Sequence, residues 1–209
     1  EHDVLPNVLS WHELASRNAK EIQSHVEYMR HFMAQNGIEI NEISINEIVP
    51  RGGQFDPGTI VNHFAVLERV KVDSAAKSCW EEPSGVFNAW NYSLDGLLTP
   101  PPEFGRRAAW WAYEGYASIT GILVDVTPSE SLFIDGVAGY DSDEQVVRAI
   151  IGNAGNGESN VKIVFENMNA LQFFAETKVR VLVKRIPATG VQILEEPEIV
   201  IDDVVHVVD

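Results

Sequence analysis

Cysteine is nearly absent from this chain: Cys79 is the single one among 209 residues, so no internal disulfide can form. Its apolar-leaning neighbours make it a small buried side chain rather than a reactive thiol. Long apolar runs are missing as well. No segment approaches the roughly 20 residues that a bilayer-spanning helix needs, so no membrane association is expected. Basic residues are scarce, with 15 Lys and Arg against 31 Asp and Glu and a formal net charge of −16. The acidity runs along the whole chain and conceals no basic patch. Nucleic acid and anionic membrane surfaces are thereby excluded as partners. No His, Cys and carboxylate cluster has metal-ligand spacing, and no Ser/His/Asp set is convincing. No glycine-rich phosphate loop follows any strand. Neither a metal nor a cofactor is expected.

What is present is the composition of a folded protein, 45% hydrophobic and 22% charged. The most informative stretch is Glu42 to Pro50, EISINEIVP. Ile43 and Ile45 alternate with Ser44 and Asn46, the period-2 pattern of a strand, which delivers Glu47 to its carboxyl end before Pro50, Arg51, Gly52 and Gly53 force a loop. A carboxylate at the end of a buried strand is costly to keep unless something uses it. Upstream, Val8 to Trp11 reads as a strand ending at His12-Glu13, and Ala15 to Asn36 as a helix with Ile22, Val26, Met29 and Met33 at helical spacing and a stop at Asn36-Gly37. Downstream, Asp56-Pro57 opens a second helix striped by Ile60, Phe64 and Leu67. Val72 to Trp80 reads as a third strand ending at Trp80-Glu81-Glu82, Pro83 to Pro102 as a long aromatic loop, and Arg106 to Thr120 as a third helix. Alternating strands and helices are the grammar of a parallel α/β assembly.

From Gly121 onward the grammar changes. Strand-length runs follow at Ile122–Val126, Leu132–Val137, Gln145–Gly152, Asn160–Phe165, Val179–Ile186 and Val200–Val208, separated by turn signals such as Asn153 to Gly157. These predict an antiparallel β-sandwich, with a domain boundary near Thr120. The chain starts Glu1-His2-Asp3 without Met and carries a glycosylation sequon, Asn91-Tyr92-Ser93. A processed, secreted or extracellular protein is the expectation.

Polar and aromatic groups at the carboxyl ends of successive strands are how a (β/α)8 TIM barrel builds its site, although such a barrel needs about 250 residues. SINE (Ser44 to Glu47), ERVKVDSAAKSCW (Glu68 to Trp80), SLDGLLTP (Ser93 to Pro100) and RRAAWWAYEGYASITG (Arg106 to Gly121), then FIDGVAGYD (Phe133 to Asp141) and VKRIP (Val183 to Pro187), resemble the end of the barrel and the following β-sandwich of clan A glycoside hydrolases, especially family 39. The resemblance implies that residues 1–120 are the C-terminal portion of a TIM barrel, strands six to eight with their helices, and that 121–209 are the β-sandwich domain. It further implies a heterodimer, in which an N-terminal chain cut from the same precursor supplies barrel strands one to five.

By the same resemblance the protein is carbohydrate-active: the C-terminal chain of a retaining glycoside hydrolase acting on β-linked sugars by double displacement, with xylosides and uronic-acid glycosides as suggested substrates. Two carboxyl groups about 5–5.5 Å apart carry that reaction. Glu47 corresponds to the nucleophile, and the acid/base falls on the missing N-terminal chain. Trp80 corresponds to a sugar-stacking ring. His12 and Glu13 would bind hydroxyls or steer Glu47, with Asn46 beside it, while Glu81, Glu82 and Trp90 line the mouth. Each residue also has a plainer role open to it. Glu47 can pair with Arg51, Trp80 can be core, His12 a structural histidine and Glu13 a helix N-terminal charge. Trp110, Trp111, Tyr113 and Tyr116 read as helix packing. The alternative function is a catalytically inactive, lectin-like or storage protein on the same scaffold.

Overall fold

The computed structural model describes residues 5–14, 18–128, 130–168 and 178–206. Three strands, β1 (Val8–Glu13), β2 (Glu42–Ile48) and β3 (Ser74–Lys77), pair in parallel in the order β1-β2-β3. Helix α1 (Lys20–Gln35) links the first two and α2 (Pro57–Arg69) the last two. Parallel neighbours need such crossovers, so the order of elements dictates the pairing.

Local sequence explains each element. Ile22, Val26 and Met33 give α1 its buried stripe, and Gly37, at φ 63°, takes the left-handed turn after it. Asp56 caps α2: its carboxylate accepts the Gly58 amide at 3.0 Å and the Thr59 hydroxyl at 2.7 Å, with Pro57 in the first turn. Residues 59–67 of α2 are buried on every side, which marks it as the central element. One flank joins Ile43, Ile45, Ile48 and Val49 in the core; another meets α3 (Ala108–Ala117), where Tyr113 and Tyr116 pack on Phe64 with ring centroids 4.9 and 4.4 Å away.

After α3 the strands run antiparallel: β4 (Ile122–Val124), β5 (Ile134–Asp141) and β6 (Val146–Asn153) form one sheet, and β7 (Lys178–Arg185) with β8 (Glu198–His206) another. Helix α2 packs on β5 and β6. The approach is so close that a Cβ on Gly58 would sit 2.1 Å from the Asn153 carbonyl oxygen, and one on Gly152 2.5 Å from the Gly58 carbonyl. Arg69 reaches across to Asp135 at 2.6 Å.

Several expectations are corrected here. The chain does not contribute strands six to eight of a TIM barrel followed by a β-sandwich: the described residues form three α-helices and three separate small sheets, none closed into a barrel. Barrel closure is a property of eight strands in register, and alternation within single strands carries no information about it. The heterodimer goes with the barrel. A partner chain was expected only to complete strands one to five, and the sheet observed is an open β1-β2-β3 sheet with α1 and α2 folded against it. Among the described residues, 160–165 form no strand, and Val161, Ile163, Val164 and Phe165 are exposed. The expected ends at Ala15 and at Val208 lie outside the described residues.

Candidate functional site at the carboxyl end of the parallel sheet

The β1-β2-β3 sheet has two unlike faces. Ile43 and Ile45 point into the helix-lined core, while Ser44 and Asn46 point to the other face, where Ser74 donates to Ser44 at 2.8 Å and Ser44 to Asn46 at 3.0 Å. Strict alternation would put Glu47 with the isoleucines. Instead the β1–β2 register shifts between Trp11 and His12, and Ile48 rather than Glu47 takes the next buried position. Glu47 is thereby delivered to the open face opposite His12, with Nδ1 to Oε2 at 3.6 Å and side chains 55% and 39% exposed. A carboxylate this wet costs little to keep, contrary to the buried carboxylate expected from the strand pattern.

The other candidates are distributed around this pair. Asn46 is exposed on the same strand. Glu13 lies behind: it accepts from the Trp11 indole, and its oxygens meet His25 Nδ1 at 2.9 and 3.1 Å. Trp80 is half-buried, its indole donating to the Val49 carbonyl at 2.9 Å. That carbonyl also accepts the Ser78 hydroxyl at 2.5 Å. Val49 is fully buried at φ 72°, a costly conformation for a β-branched residue, and these donors help hold it there. Arg51 pairs with Glu81 at 2.6 Å rather than with Glu47.

Glu82 is 6% exposed and is gripped by Arg107 through two hydrogen bonds of 2.8 and 3.0 Å. Arg107 also donates to the Gly96 and Val191 carbonyls and lies over the Phe55 ring. His12 and Glu47 thus meet at the carboxyl end of the sheet with Asn46 next in the chain, Trp80 and Glu81 follow the end of β3 and bond to Val49 and Arg51, and Glu13 and Glu82 are bonded to His25 and Arg107. Sequence reading missed Arg107, His25 and Val49. Nothing in the spacing of Arg107 announces a partner 25 residues upstream, and a left-handed valine has no sequence signature.

A cavity of about 330 Å³ lies elsewhere, between α2, α3 and β3, lined by Lys77, Asp95, Tyr113 and Tyr116 among others. Burial pushes the Lys77 ammonium down to about 8 and the Tyr116 phenol up to about 12, the latter helped by its hydrogen bond to Glu68. Among the described residues no group of three or more His, Cys, Asp or Glu could hold a metal ion, and no helix is long and apolar enough to cross a membrane.

No family model matches the chain. It is 26% identical over 156 residues, 73% of its length, to a 3-O-alpha-D-galactosyl-alpha-L-arabinofuranosidase of Bifidobacterium longum subsp. longum. It is 22% identical over 162 residues, 76% of its length, to a 3-O-beta-L-arabinopyranosyl-alpha-L-arabinofuranosidase of Bifidobacterium pseudocatenulatum. The chain spans 13% and 16% of those enzymes. The solved structure of N2152 from Neocallimastix frontalis has the same fold over 98% of this chain and 48% of its own, with a TM-score of 0.76 and 24% identity. The chain therefore has a distant likeness to carbohydrate-active enzymes. The family 39 assignment is corrected: no family model supports it, and the barrel it implied is not formed. The same finding removes the glycosidase-barrel description built on it.

Proposed function

We propose that this chain binds carbohydrate at the carboxyl end of its parallel sheet, as a lectin-like module on a scaffold related to sugar-cleaving enzymes. The observation that carries this reading is the His12–Glu47 pair, exposed and 3.6 Å apart on the polar face of the sheet. A half-wet carboxylate beside an imidazole and the Asn46 amide offers donors and acceptors at the spacing of neighbouring sugar hydroxyls. The Trp80 indole, its N–H engaged by Val49, adds an apolar edge for the C–H face of a ring. Glu13 steadies the β1 side through Trp11 and His25, and Glu81 with Arg51 edges the site. Glu82 acts through its hold on Arg107 rather than by touching sugar. The two named relatives act on arabinofuranosides bearing galactosyl or arabinopyranosyl groups, which makes arabinose- and galactose-containing oligosaccharides the first ligands to test. Such ligands occur outside cells, and secretion belongs to this proposal.

Calorimetric titration of the chain with those oligosaccharides tests it. Saturable binding that Glu47→Gln weakens at least tenfold is expected. Wild-type protein that binds none of them refutes it.

Hydrolysis is the second reading, favoured by the activities of the two relatives. Glu47 would then be the nucleophile of a retaining reaction, which requires a second carboxyl group about 5–5.5 Å away. Glu13, Glu81 and Glu82 are each engaged by other side chains, so binding without turnover is the better-supported reading. A trapped ester on Glu47 after treatment with a 2-fluoro arabinofuranoside would reverse that preference.

A further inference from the structure

The loop between β3 and α3 exposes aromatic rings on a rigid base. Trp90 is 76% exposed, Tyr92 77% and Phe87 39%, although large apolar side chains ordinarily earn their place by burial. Their support is anything but loose. Asn88 and Ser93 are buried to 1% and 0% exposure; the Asn88 amide donates to Gln54 at 2.8 Å and the Ser93 hydroxyl accepts the Gly96 amide at 3.0 Å. Tyr92, Leu94 and Asp95 stand at positive φ of 62°, 49° and 53°, conformations that persist only where the surroundings over-determine them. The Glu82–Arg107 pair anchors the base of the same loop.

The loop also returns to the candidate site. Phe87 bridges Glu81, and the Asn88 backbone N–H donates to the Trp80 carbonyl at 2.9 Å, while the Trp80 side chain is bonded to the Val49 carbonyl, two residues beyond Glu47. The Phe87 and Trp90 centroids are 5.3 Å apart and their planes are tilted by 60°, so the two rings pack on each other and Trp90 keeps most of its surface open to solvent.

We propose that Phe87 and Trp90 form a second sugar subsite, which holds one ring of a neutral oligosaccharide whose neighbouring residue sits at His12 and Glu47. This inference rests on the carbohydrate-binding reading. A pyranose or furanose ring would lay its C–H face on the exposed Trp90 ring that Phe87 backs, with the Arg51–Glu81 pair next to Phe87 offered to its hydroxyls. Pre-organisation favours a weak ligand, because the loop loses little freedom on binding.

The test is calorimetric titration of the full chain with arabino-oligosaccharides of one to four residues. Wild-type affinity should rise about tenfold once the ligand is long enough to reach Trp90, the upper end of what one aromatic stack supplies. Trp90→Ala should abolish that increment and leave monosaccharide affinity unchanged, and Trp90→Phe should restore part of it. Because Trp90 is largely exposed, these variants fold, which circular dichroism verifies. A length increment that survives Trp90→Ala overturns the subsite and leaves the sheet-end site standing. Equal loss at every length also overturns it, since Trp90 would then serve the first site. Absence of binding by wild-type protein at any length overturns both.

Discussion

Replacing Glu82 separates two accounts of one residue. As a direct sugar ligand, Glu82 would cost affinity and little stability when lost. As the partner of Arg107 it does the reverse. Its side chain is 6% exposed and that of Arg107 3%, and both carboxylate oxygens are taken by the guanidinium at 2.8 and 3.0 Å. Glu82→Ala leaves a buried cation with the Gly96 and Val191 carbonyls and the Phe55 ring but no counter-charge in contact with it, an uncompensated charge that costs about 3–5 kcal/mol. Glu82→Met with Arg107→Met removes both charges and fills most of the volume, so the double variant should lie within about 2 kcal/mol of wild type. The coupling between the sites is then several kcal/mol, well beyond the 0.2–1 kcal/mol or so of an exposed pair. Urea denaturation at pH 7 measures all four corners of the cycle. Glu82→Ala that unfolds within about 1 kcal/mol of wild type, while losing sugar affinity, would refute the buried-pair account.

Further outcomes follow from groups elsewhere. Burial lowers the Lys77 ammonium from 10.5 to about 8, so the folded state resists its charge; the penalty is fully present below pH 8 and disappears as pH rises through 10.5. Its full size is about 3 kcal/mol, part of which the hydrogen bond to the Asp95 carbonyl offsets, so Lys77→Met should be more stable than wild type at pH 7, by a margin that closes toward pH 10.5 in denaturation experiments. His63 is fully buried and its pKa is held below 6.5, chiefly by that burial, so the unfolded chain takes up a proton that the folded one refuses. Stability should therefore fall as pH drops below 6.5, and less steeply in His63→Gln, as acid titration of the unfolding midpoint would register. Gly152→Ala forces a methyl against the Gly58 carbonyl and should cost at least about 2 kcal/mol, whereas Gly157→Ala, with open space around it, should be near neutral in thermal unfolding.

Much of the first half of the fold is legible in the sequence, because its signals are local. Alternation at Ile43 and Ile45 marks β2, Asp56-Pro57 marks the start of α2, and Asn36-Gly37 ends α1. Strand number and closure are not local, which is why three βα units read as a piece of barrel yet form an open sheet. The candidate site divides along the same line. His12 opposite Glu47 depends on a register shift between Trp11 and His12 that no spacing announces, and the wetness of Glu47 follows from it. Glu82 looks like a mouth residue beside Trp80 until Arg107 closes on it from another element. In the second half, Asn160 to Phe165 has the composition of a strand, but strand formation requires a neighbour to pair with, and composition does not supply one.

The central claim is that sugar is held at the carboxyl end of the parallel sheet. A crystal structure of the chain with an arabinose- and galactose-containing oligosaccharide tests it most directly. The account predicts sugar hydroxyls within hydrogen-bonding distance of Glu47 and His12 and a ring face against Trp80. A ligand seated instead in the cavity lined by Lys77, Tyr113 and Tyr116, with the Glu47 face bare, would contradict it.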